Sequence, residues 1–75
     1  MTKYKGHPIY GIAVPAPERG WCSRGLVFDP GTQTIEIKRI QGPTDLTFKA
    51  KKQAEEHGLK LCRDWIDEQP PPERN

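Results

Sequence analysis

Residues 51–68, KKQAEEHGLKLCRDWIDE, constrain this chain more than any other stretch, because they form the one segment both long enough and periodic enough to be a helix. At about 100° per residue, Ala54, Gly58, Leu61, Cys62 and Trp65 share a stripe, with Leu59 and Ile66 at its border and Lys52, Glu56, Lys60, Arg63 and Asp67 opposite. One dry face needs one apolar partner, and the rest of the chain shows no second helical pattern. The partner must therefore be the β-rich stretch that precedes it.

That stretch reads as three strands. The run HPIYGIAVP sets Ile9, Gly11 and Ala13 on one side and Tyr10, Ile12 and Val14 on the other, bounded by Pro8 and Pro15. Residues 15–20, PAPERG, form a connection, and residues 21–28, WCSRGLVF, the second strand. Asp29-Pro30-Gly31-Thr32 is a turn, because proline presets one φ and glycine accepts a positive one. The return strand is expected over residues 33–40, with Ile35 and Ile37 inward, Glu36 and Lys38 outward, and a bulge or the strand's end near Lys38. Leu46 and Phe48 are expected to plug the gap before the helix. Residues 1–5 read as a loose polar start. The expected fold is α+β: a three-stranded antiparallel meander packed on one C-terminal helix, a single domain over residues 1–68. Residues 69–75 make a proline-containing tail, which Pro70–Pro72 hold extended and which is expected to be disordered and solvated.

With 75 residues, a domain buries only about 60% of the surface its unfolded chain exposes, so a lone copy is marginal. Two cysteines without a signal-peptide pattern read as reduced thiols, and no run approaches the roughly 20 apolar residues of a membrane span; a cytoplasmic location is expected. Strands one and two carry large apolar groups at both parities, which a sheet with one wet face should not. Ile9, Tyr10, Ile12, Val14, Trp21 and Val27 are accordingly the expected face of a homodimer, in which open faces or edge strands of two copies meet. The competing expectation is that the PAPERG and GPTDL loops fold over that face within one chain.

Charge is placed unevenly: residues 1–54 hold nine basic and four acidic side chains, and residues 55–75 three basic and six acidic. Lys49, Lys51 and Lys52 crowd the helix start and Asp64, Asp67 and Glu68 its end, each reversed relative to the helix dipole at about 0.3–1 kcal/mol when exposed. Ala50 offers no side-chain cap. Together with Arg24, Lys38 and Arg39, these lysines are candidate contacts for an anion or a nucleic acid, with Trp21 and Tyr10 as stacking groups. His7, Cys22, His57 and Cys62 have no metal-ligand spacing; they read as core thiols and surface imidazoles, so no metal, cofactor or catalytic residue is expected.

The segment Lys51, Lys52, Ala54 at the start of the final helix resembles the phosphate-gripping helix of double-stranded RNA-binding domains, although Glu55 stands where that family has a lysine and the family's first helix has no counterpart. Tyr4 and Gly6, Gly20-Trp21, Phe48, Ala54 to Leu59 and Trp65 to Asp67 are together similar to small bacterial proteins of unknown function. That likeness implies a compact strand-and-helix unit and brings no site residues. The function expected from the sequence is a non-catalytic, dimeric protein-interaction module; the alternative is a nucleic-acid-binding accessory protein.

Overall fold

The structure, a computed structural model, describes residues 2–70. The expected α+β layout is present, with an antiparallel sheet and one C-terminal helix, but the sheet has four strands: β1 (Thr2–Tyr4), β2 (His7–Ala16), β3 (Gly20–Phe28) and β4 (Glu36–Gln41), in that spatial order, with α1 (Lys51–Glu68) on one face. The added strand corrects the reading of residues 1–5 as loose. Lys5 (φ 49°) and Gly6 (φ 87°) form a two-residue hairpin loop that closes Tyr4 against His7, and two positive φ values are what such a tight loop demands. Lysine is an uncommon residue at the first of them, which is why the turn is hard to read from sequence.

β2 contains both prolines that were expected to bound it, and each is tolerated for a different reason. Pro15 lies opposite Trp21, whose own N–H and C=O bond to Phe48 on the far side, so the nitrogen of Pro15 faces the sheet's outer edge, where no donor is required. Pro8 instead faces β3, where it cannot donate, and β2–β3 pairing begins one residue later at Ile9 and Val27. The carbonyl of Phe28, left without that donor, lies 3.0 Å from His7 Nδ1. A carbonyl only accepts, so Nδ1 carries the proton and the imidazole replaces the missing backbone N–H.

β4 is shorter than expected, and its facing is reversed. The Asp29 carboxylate accepts the amides of Gly31 and Thr32, Gln33 N–H bonds back to Asp29 C=O, and Asp29 N–H reaches Ile35 C=O, so the turn consumes residues 29–35. Val27 pairs with Lys38 and Phe28 with Glu36, making Ile37 the extra residue of a bulge; of the two alternatives expected near Lys38, a bulge or the strand's end, the first is present. Ile35 and Ile37 are exposed, and Ile40 is the residue that packs against the core.

The core lies between α1 and the β2–β3 pair: Ile9, Val27, Cys62 and Ile66 are buried, with Tyr4, Ile40, Leu59 and Trp65 packed around them. Along the helix the buried residues are Ala54, Gly58, Cys62 and Ile66, so Ile66 belongs to the centre of the stripe and Leu61 and Trp65 to its flank. Three glycines bring the layers together. A Cβ on Gly11 would fall 1.8 Å from Glu55 C=O, one on Gly25 2.7 Å from Gly58 C=O, and one on Gly58 2.3 Å from Arg24 C=O. The helix backbone therefore rests on the sheet backbone directly above the β2–β3 seam.

Candidate functional site

Register places the odd-numbered residues of β2 and β3 under the helix and the even-numbered residues on the opposite face. On that open face, β2 contributes Tyr10, Ile12 and Val14 and β3 contributes Leu26 and Phe28; Tyr10 is 41% exposed and the other four are half-buried. The Tyr10 and Phe28 rings meet edge to face, with centroids 5.4 Å apart, a favourable aromatic geometry. Polar groups border this patch on the β4 side. Arg24 Nε donates to Gln41 Oε1 at 3.1 Å, and Arg39 pairs with Glu36 at 3.1 Å.

The six residues expected to form a dimer face thus divide between two sides. Tyr10, Ile12 and Val14 are on the open face; Ile9 and Val27 are buried beneath α1, and Trp21 is half-buried on the helix side. Alternation of side chains separates them, since residues of opposite parity cannot line one surface. At the Gly20 end the open side is closed: Ala16 and Cys22 are buried, and Arg19 Nη1 donates to Thr44 C=O, joining the two loops at that end. The loop-cover alternative therefore describes one end of the face and leaves the patch around Tyr10 open.

The six candidate basic residues are not brought together. Arg24 and Arg39 lie on the open face, and Lys38 has the opposite parity. Lys49, Lys51 and Lys52 lie at the helix start, and Lys51 Nζ sits 5.8 Å from the centroid of the Trp21 ring. The helix start has no side-chain cap; Gln53 Oε1 reaches back to Ala50 N–H at 3.4 Å. At the other end the reversed charge is answered from the β1–β2 turn: Lys5 Nζ is 2.7 Å from Asp67, and Tyr4 hydroxyl donates to the same carboxylate. The Lys5 ammonium, with help from Tyr4, holds Asp67 below the usual carboxylate range, and in return Asp67 raises the titration of Tyr4 and Lys5.

His57 was expected on the surface and is half-buried, with Nδ1 2.6 Å from Ser23 Oγ and its ring 5.2 Å from that of Phe48. Ser23 is 1% exposed while His57 is half-buried, and their hydrogen bond ties α1 to β3. Phe48 also forms a backbone bridge with Trp21, which makes it the plug that was expected, whereas Leu46 stays exposed. Both cysteines are buried free thiols; Cys62 Sγ donates to the carbonyls of Tyr10 and Leu26, and burial pushes its titration up, opposite to a reactive thiol. Among the described residues no three His, Cys, Asp or Glu side chains converge on a metal position, and no helix is long and apolar enough to cross a membrane.

Comparison with known proteins finds no matching family model, no matching curated protein and no matching solved structure.

Proposed function

We propose that this chain is a non-catalytic protein-interaction module that works as a homodimer. The observation that carries the proposal is the open sheet face. Tyr10, Ile12, Val14, Leu26 and Phe28 form a contiguous apolar surface with a polar border, the arrangement of an interface centre and its rim. A small domain gains most from such a surface when a second copy completes its core, because its own helix covers one side only.

Nucleic-acid binding is the second reading, and the separation of the basic side chains favours the first. Arg39 is paired within the chain, Lys51 rests over Trp21, and the helix lysines share no surface with Arg24. Light scattering coupled to size exclusion at micromolar concentration is expected to give twice the mass of one chain; a monomer overturns the proposal. Titration with labelled single- and double-stranded oligonucleotides at two salt concentrations is expected to show no binding. Micromolar binding that falls steeply with salt would replace this proposal with the second reading.

A further inference from the structure

The two edges of the sheet are built differently. β4 is a guarded edge: it is short, bulged at Ile37, and carries Glu36, Lys38 and Arg39. The other edge is shared. β1 pairs with β2 only opposite residues 7–9, which leaves residues 10–16 of β2, YGIAVPA, without a neighbour among the described residues. This free stretch contains no charged residue and pairs with β3 without a bulge.

Its hydrogen-bonding groups can be assigned. Trp21 exchanges both backbone bonds with Phe48, and Ser23 C=O accepts from Gly42 N–H, so the odd residues of β3 point toward β4. Their partners Gly11, Ala13 and Pro15 consequently point away from β3. The outer edge therefore presents the N–H and C=O of Gly11, the N–H and C=O of Ala13, and the C=O of Pro15, with no partner among the described residues.

We infer that the outer edge of β2 is a strand-pairing site for a second copy of this chain, antiparallel about a twofold axis at Ala13, making one continuous sheet six strands wide in which each β1 lies in line with the partner's β2. The inference rests on the self-association proposed above and assigns it to an edge. Two Ala13 residues exchange a pair of N–H to C=O bonds, and each Gly11 N–H meets the C=O of the partner's Pro15. Proline ends the ladder there. Ala16 of the second copy falls opposite Tyr10, one position short of Ile9, which is already paired with Thr2 of β1.

The helices fit the same axis. Each α1 lies over its β2–β3 seam, one strand spacing from the twofold, so the two helix axes would run about 10 Å apart, close to the 8–10 Å of packed helices. Gly11 underlies Glu55 and Leu59, and α1 runs opposite to β2, so Ala13 lies level with the first turns of the helix. Tyr10, Ile12 and Val14 then form one surface across both copies on the open side.

Backbone hydrogen exchange of the dimer tests this directly. The Gly11 and Ala13 amides are expected to be protected in the dimer and to lose protection on dilution to monomer. Ala13→Pro removes an outward N–H that has no use within one chain, and it should raise the dimer dissociation constant by about tenfold or more through two lost hydrogen bonds. Ile37→Lys, on the guarded β4 edge, should leave the dimer intact. A wild-type monomer overturns self-association itself. A dimer with unprotected Gly11 and Ala13 amides, or one broken by Ile37→Lys and insensitive to Ala13→Pro, overturns the edge assignment alone.

Discussion

At the scale of single residues, the decisive positions are small. Gly58 lets the helix approach until its backbone lies over Arg24 C=O and Gly11 Cα, and a Cβ there would meet them at 2.3 and 2.8 Å. Both obstacles are backbone, so neither can rotate aside. Gly58→Ala gains helix propensity of about 0.5–1 kcal/mol, and forced overpacking costs about 1–3 kcal/mol. We expect a net loss of about 1–2 kcal/mol, read as a lower urea midpoint with unchanged slope. The sequence shows Gly58 on the dry helix stripe and Gly11 and Gly25 in strands, but it does not show that the three stack on one another. That coincidence is a matter of register between elements far apart in the chain. His57 is hidden for the same reason, since its partner Ser23 comes from a strand 34 positions away.

At the scale of elements, β1 and the end of α1 are held by one cluster, Tyr4–Asp67–Lys5. The linkage has a definite sign. Asp67 titrates below its ordinary value in the folded chain, so its contribution is present above the unfolded carboxylate range and is lost as pH falls through the depressed folded value. Tyr4 and Lys5 titrate above theirs, so their contribution is lost only as strongly alkaline pH passes through the raised values. Acidification should therefore release the β1 hairpin from the helix end before the rest unfolds, and Asp67→Asn should make this step insensitive to pH. Amide exchange at Ile9, opposite Thr2, across an acid series measures it. The helix itself was legible to its last residue, because 18 residues of period 3.6 leave little freedom. β1 was not, because three residues, one closing lysine and no apolar alternation give no periodic signal.

At the scale of the whole molecule, a small core centred on Ile9, Val27, Cys62 and Ile66 between one helix and one sheet leaves the opposite sheet face to be finished by something else. If a second copy does so, folding and association are coupled, and the melting temperature should rise by about 5 °C for each tenfold increase in protein concentration. A melting temperature independent of concentration over two decades would mean a self-sufficient monomer. The two-sided apolar strands that suggested an interface were visible in sequence, yet its expected members were drawn from both parities; Ile9 and Val27 proved to be core. By itself the sequence determined what periodicity and turn chemistry can encode: the C-terminal helix, the two long strands with the parity of their faces, and the Asp29 turn. Tertiary structure alone decided which parity the helix covers, which edge of the sheet stays unpaired, and which charges meet. Those are relations between elements, governed by how closely two backbones can approach, and no single stretch of chain carries that information.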